Sequence, residues 1–395
     1  ANLGGGGGGG GSNTARGAGG SGVVIISYAG STQLMAGGTV TITGGNVIHT
    51  FNSSGYLTPL DFIGNSLRFR SSASAYLNRT PTVASNRKTW TWSGWVKRGA
   101  LSGAPALFSA GTGTSVTDEF ILAFSTGNTL FIGASNVADY STTAVFRDPA
   151  AWYHIVLAVD TTQAVAANRT RIWVNNLQLT FDGNLYGTQN TDTPVNNTVA
   201  QNIGRRAVNG ANLFDGYMTE VQLIDGQALT PNSFGTFNSF GVWQPIVYGG
   251  SYGTNGFYLP FSNNASTTTL GLDFSPQGNN WTTNNISLTA GTTYDSMTDV
   301  PTLTSTTAAN YAVLNPLDSL GGTVSNGNLE YSGVYTSGGV SQNGHGVRST
   351  LRTPASGKWY TEASGVNIAG SGNSCILGYT PVSYTHLRAH ETPEH

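Results

Sequence analysis

Residues 152 to 160, WYHIVLAVD, narrow the folding options of this chain more than any other stretch. In an extended segment successive side chains alternate between two faces. Tyr153, Ile155, Leu157 and Val159 then share one face, and Trp152, Val156 and Ala158 share the other, with His154 its polar member. Apolar residues on both faces predict an interior strand. A second run, TRIWVNNLQLTF from Thr170, carries Arg171, Trp173 and Leu177 and is broken by Asn175-Asn176, a pair that tolerates positive φ and suits a tight turn. The pattern predicts two hairpins in series at the centre of an antiparallel β-sandwich.

A strand buried on both sides needs neighbours, and the flanking sequence supplies them at regular spacing: ALFSAG from Ala106, EFILAF from Glu119 and TLFIGAS from Thr129. Upstream, SLRFRSSASAYLNRT reads as an alternating strand, and TWTWSGWVKRG places Trp90, Trp92 and Trp95 within six residues. Helix is expected only as a short turn from Thr230 to Phe234, begun by Thr230-Pro231. The 54 glycines, with abundant Thr, Ser and Asn, favour turns and short strands, so the chain should be nearly all-β. Its 395 residues allow two or three domains.

Charge removes several partners. Only 9% of residues are charged and the net charge is -2, so no cationic field exists to hold nucleic acid or an anionic membrane. No apolar run approaches the roughly 18 residues of a membrane helix, so no membrane insertion is expected. A single cysteine, Cys375, excludes an internal disulfide and any Cys-based zinc cluster.

Texture divides the chain. Residues 1–61 form a glycine-rich module: Gly4 to Gly11 cannot bury a core and read as a linker, and three short strands follow in VVIISY, GGTVTITGG and NVIHTF. This part resembles the glycine-rich distal modules of phage tail fibres and adhesins. In that resemblance glycine runs pack as polyproline-II-like bundles. Residues 62–240 hold the sandwich, and residues 241–309, with Phe257, Tyr258, Leu259, Phe261 and Trp281, read as a β-rich extension packed against it.

WTWSGWVKRG, WYHIVLAVD, TRIWVNN and FDGYMTEVQLIDGQALTPNSF, in that order, resemble the laminin G-like branch of the concanavalin A-like lectin/glucanase superfamily. The resemblance implies a jelly-roll sandwich of two curved sheets that binds glycans on rim loops or on the concave sheet, sometimes with calcium. The wording of these motifs, continued by GVWQPIVYGGSYGTNGFYLPFS, is similar to structural proteins of marine phages and their prophage relatives. It implies a tail-fibre-type protein of the virion or an extracellular surface, with a glycan on the host cell as partner and room for a homotrimer. Residues 310–382, through SGKWY at Ser356 to Tyr360, resemble the opening half of a SPRY-like domain, a truncated second sandwich with unpaired strand edges. Residues 383–395, with His386 and His390, resemble sequencing-adapter read-through and are expected to be non-native; a metal-binding histidine tract is the alternative.

Catalysis is not expected. Retaining glucanases of this superfamily carry E-x-D-x-x-E, which sets two carboxylates about 5 Å apart on one face. This chain has no such motif: Asp118 and Glu119 are adjacent and face opposite ways, and Glu220 and Asp225 straddle their strand. No G-x-S-x-G elbow is present, and His154 lies inside an apolar strand, where a satisfied core histidine is expected. Asp160, Asp182, Asp192 and Asp215 fall at predicted strand ends or loops. Calcium needs such oxygen ligands, but turn capping accounts for each equally, so no ligand set is named. Tyr140 or Tyr186 could stack on a sugar ring or belong to the core, and the carbohydrate-binding residues stay unassigned. Lectin and ligand-free structural spacer remain the two readings, ahead of a glycan-degrading enzyme.

Overall fold

A computed structural model describes residues 22–30, 33–53, 57–59, 63–113, 118–134, 137–183, 187–305, 307–333, 346–352 and 362. Ala1–Leu351 form one compact unit; of the second, Arg352–His395, only Arg352 and Glu362 are described.

The strand Trp152–Asp160 is interior. It pairs antiparallel with Thr170–Val174, Leu157 opposite Ile172, and on its other edge with Thr89–Arg98, Leu157 opposite Trp92. Asn175 and Asn176 have φ of 49° and 68°, both positive as a type I′ hairpin turn requires, and lead into Leu177–Gln178.

Two antiparallel sheets stack around this centre. One runs Val137–Val145, Thr129–Ala134, Glu119–Phe124, Ala106–Gly111, Ala200–Ile203, Tyr76–Arg79, Thr282–Asn284. The other runs Leu177–Gln178, Thr170–Val174, Trp152–Asp160, Thr89–Arg98, Gly216–Asp225, Ser66–Phe69, Ser296–Met297, with Phe257–Leu259 also paired to Gly216–Asp225. Trp90, Trp92, Phe108, Phe120, Leu122, Ile155, Leu157, Met218 and Leu223 fill the space between them. Each such side chain contributes about 1.5–3 kcal/mol on burial.

The outer face of the second sheet is not left to solvent. Trp95, Trp152 and Tyr217 pack against Ile63, Trp243, Val300 and Ala308, while Val156, Ala158, Trp173 and Ile224 pack against Phe234 and Tyr252. The chain's own later segments thus cover the second apolar face of WYHIVLAVD. Residues 241–309 also enter the sandwich itself, through Phe257–Leu259, Thr282–Asn284 and Ser296–Met297.

Three details differ from the pattern in the sequence. SLRFRSSASAYLNRT is not one strand: a 3-10 turn at Ser71–Ala73, closed by Ser74 at φ 55°, splits it into Ser66–Phe69 and Tyr76–Arg79, which join different sheets. The run Ser71–Ser74, three serines and one alanine, has no large apolar side chain to place in either core. Short helical turns occur not only at Pro231–Ser233, directly after Thr230, but also at Ala166–Asn168 and Thr267–Leu270. A bulge interrupts Gly216–Asp225 between Thr219 and Gln222, with Glu220 at φ 52°, so the core-facing position moves from Met218 to Val221.

Near the N-terminus Val24–Ala29, Thr39–Thr43 and Asn46–Phe51 form a three-stranded sheet with a Gly44-Gly45 turn. Beyond the sandwich, Leu314–Leu320 pairs with Gly346–Ser349, and Gly322–Ser325 with Glu330–Gly333. The glycine run, Ser356–Tyr360, Cys375, His386, His390 and Tyr186 lie outside the described residues.

Candidate functional site

A cleft of about 530 Å³ opens at the sandwich end where Thr89–Arg98 terminates. Such a volume suits a ligand of a few rings. One wall is Ala100, Leu101, Ser102, Asn128 and Arg147; the other is Pro316, Leu317, Ser319, Gly322, Thr323 and Val324. The two walls are far apart in sequence, so each needs its own support.

Arg98 holds the first wall from below. Its guanidinium lies 4.1 Å over the Phe124 ring and donates to the carbonyls of Phe146 (2.6 Å) and Ala100 (3.4 Å). Burial lowers its pKa to about 10, which leaves it cationic at neutral pH. Asn128, at φ 65°, closes the turn after Glu119–Phe124, and its carbonyl accepts from the Phe146 amide at 2.8 Å. Asp215 holds the second wall. It accepts from Ser71 N–H and hydroxyl with Oδ2 and from Gly327 N–H at 2.8 Å with Oδ1. Tyr217 donates to Gly327 carbonyl at 2.6 Å, and Asn328 Nδ2 donates to Gly99 carbonyl at 3.2 Å.

Among the described residues, two polar groups of the cleft-lining residues lack protein partners. Arg147 is exposed, and among the described residues it has no ion pair. The Asn128 Oδ1 is buried without a hydrogen bond. A desolvated acceptor costs free energy unless something donates to it, and a guanidinium offers a planar fork to a carboxylate. Ser102, Ser319 and Thr323 add hydroxyls, and Leu101, Pro316 and Val324 add apolar surface.

The residues singled out in the sequence are placed elsewhere or otherwise engaged. Asp160 accepts from Thr89, Thr162 and Gln163 side chains and from Thr162 N–H; these hydrogen bonds outweigh the opposing desolvation and hold its carboxyl below the usual range. Asp192 pairs with Arg87 and Lys88 at the surface, and Asp182 is exposed. Asp160 and Asp215 are thus turn and loop clamps, and among the described residues no group of three His, Cys, Asp or Glu converges. Tyr140 is 2% exposed with its ring 5.4 Å from Phe181, so it cannot stack on a sugar.

His154 is buried between Trp95 and Trp243, ring centroids 4.9 and 6.0 Å away, and hydrogen-bonds Ser93 and Trp243. Burial pushes its pKa down to about 3. The Ser93–His154 contact is closed to solvent. Glu119, on the outer face of the first sheet, pairs with Arg206. Glu220 faces out from the other sheet and accepts from Tyr258 hydroxyl, while Asp225 accepts from Asn86, Asn196 and Asn255. The strand therefore separates Glu220 and Asp225, as alternation requires once the bulge is counted.

Solved structures of similar shape include a candidate carbohydrate binding protein of Bacteroides ovatus, 19% identical, covering 67% of each chain with a TM-score of 0.38. A heptameric SAP-like pentraxin of Limulus polyphemus is 15% identical over 43% of this chain and 80% of its own, TM-score 0.33. The CBM40 of a Ruminococcus gnavus IT-sialidase is 13% identical over 44% and 92%, TM-score 0.27. No curated protein matches by sequence. Residues 70–233 match the family model described as the concanavalin A-like lectin/glucanases superfamily, and the two-sheet antiparallel sandwich has a concanavalin A-like fold.

Proposed function

We propose that this chain is a non-enzymatic carbohydrate-binding protein and that the rim cleft takes an acidic sugar. The observation that carries this is an exposed Arg147 guanidinium, without an ion pair among the described residues, on the wall of a cleft that Ser102, Ser319 and Thr323 line with hydroxyls. A sugar carboxylate matches the guanidinium and sugar hydroxyls match the others. The lack of a paired-carboxylate strand argues against glycan hydrolysis.

The wider setting follows the resemblance of its motifs and glycine run to phage structural proteins. We place the chain in a tail-fibre-type assembly on a virion or extracellular surface, a homotrimer that meets glycan on a host cell. A ligand-free spacer is the second reading, and one observation favours it: the chain covers one outer sheet face with its own segments.

A glycan array on the full chain, with and without calcium, tests both. Binding of acidic glycans that is lost in Arg147→Ala, with unchanged melting, supports the cleft. Binding indifferent to Arg147→Ala moves the site elsewhere, and no binding on any glycan favours the spacer.

A further inference from the structure

Lys97 lies in the strand Thr89–Arg98 with its side chain on the outer face of the sheet, fully buried. All three groups around its Nζ come from the segment that crosses that face: Asp299 Oδ2 at 2.7 Å, Asn310 Oδ1 at 2.8 Å and the Tyr311 carbonyl at 2.7 Å. Both side-chain carbonyl carbons are thus within a short approach of one amine. Asn310 is fixed from its other end, since its Nδ2 donates to the Ala150 carbonyl at 2.9 Å. Asp299 is fixed likewise, because its Oδ1 accepts from Trp152 Nε1 at 3.0 Å. Trp152 and Tyr217, directly across from Lys97 on the two neighbouring strands, flank it on the sheet side. Asn310 itself reaches solvent, which gives a leaving group a way out.

We propose that Lys97 and Asn310 form an intramolecular isopeptide bond, with Asp299 as the proton carrier. Nothing in a carbohydrate-binding role requires such a bond.

The chemistry balances without an oxidant or cofactor. Asp299 carboxylate takes a proton from the Lys97 ammonium, leaving a neutral amine whose lone pair attacks Asn310 Cγ. The Nζ–Cγ bond forms, and the Cγ–Nδ2 bond breaks as Asp299 returns a proton to Nδ2. The second proton lost by Nζ leaves with that nitrogen, so ammonium departs and Asp299 ends as the carboxylate it was. Burial favours the first step, because desolvation lowers the pKa of Lys97 and raises that of Asp299. Near-contact geometry then substitutes for concentration. The bond would tie a central sheet strand to a segment 213 residues later, in a chain whose one cysteine excludes an internal disulfide.

The test is mass spectrometry of the purified, denatured full chain. A bond to Asn310 removes one ammonia, about 17 Da, and yields a branched proteolytic peptide joining Lys97 to Asn310. Lys97→Arg, which keeps the cation, and Asp299→Asn should both show the unmodified mass. Because the readout on the wild-type chain needs no variant to fold, an unmodified mass there overturns the proposal. So does a loss of about 18 Da with a Lys97–Asp299 branch, which would make Asp299 the acceptor rather than the carrier.

Discussion

Trp243 donates its indole N–H to Nδ1 of His154 at 2.9 Å, and this fixes the imidazole tautomer: Nε2 carries the proton and donates to Ser93 Oγ at 2.9 Å. The neutral ring is therefore satisfied on both nitrogens, while the protonated ring would press an N–H against an N–H.

A stability difference with pH follows. His154 is pushed from its ordinary 6.5 down to about 3, so as pH falls the unfolded chain binds the proton first. Its contribution is whole above about pH 6.5 and drains between there and about pH 3, at up to ~1.4 kcal/mol per pH unit. Urea midpoints measured from pH 7 to 3.5 should fall more steeply for the wild type than for His154→Phe. Equal slopes would show that His154 is not buried neutral.

Asp295 is fully buried and receives Arg68 at 3.1 Å and Arg70 at 2.8 Å. Replacing it with Asn removes the one charge that compensates two guanidiniums. The expected loss is about 3–5 kcal/mol, the usual result of orphaning a buried charge. Denaturant unfolding of Asp295→Asn measures it; a loss under about 1 kcal/mol would mean water reaches the arginines.

Gly216 opens its strand at φ 143°, and a Cβ there would meet the Lys97 carbonyl at 2.3 Å and Phe214 Cζ at 2.8 Å. Both neighbours are backbone or buried ring, so neither yields cheaply. Gly216→Ala should lower the melting temperature by roughly 5 °C or more, equivalent to over 1 kcal/mol. Ser85→Ala, on the other end, offers a control with a smaller change.

A chain ending at residue 240 should not melt cooperatively, whereas one ending at 333 should. The shorter chain loses Phe257, Leu259, Leu270 and Trp281 from the core and Val300 from the outer cluster. At about 1.5–3 kcal/mol each these together match the roughly 5–15 kcal/mol net stability of an ordinary domain. Calorimetry of the two chains decides the matter, and a sharp transition in the shorter one would disprove the dependence.

What could be read in advance was local. WYHIVLAVD announces its two buried faces because alternation is a property of neighbouring residues, and Asn175-Asn176 announces its turn because two adjacent positive φ values need such side chains. The bulge at Glu220 gives no such sign: a glutamate at positive φ is imposed by the pairing of Thr219 with Trp95 and of Gln222 with Ser93 on either side of it rather than by its own preference. The cleft was equally hidden, since Arg147 and Thr323 meet only after the chain has closed on itself. Asp215 looked like a candidate metal ligand because its position, not its partners, is visible in the sequence.

Arg68 and Asp295 are 227 residues apart, yet they fasten adjoining strands of one sheet. During synthesis the strand Ser66–Phe69 must wait, with its later edge open, until a segment 227 residues further on has left the ribosome. Such long-delayed pairing slows folding and exposes a strand edge in the interval. Vectorial synthesis thus leaves this protein dependent on the waiting time of its first sandwich strand, and a cell that makes it quickly, or without a holding chaperone, should lose more of it to aggregation than one that makes it slowly.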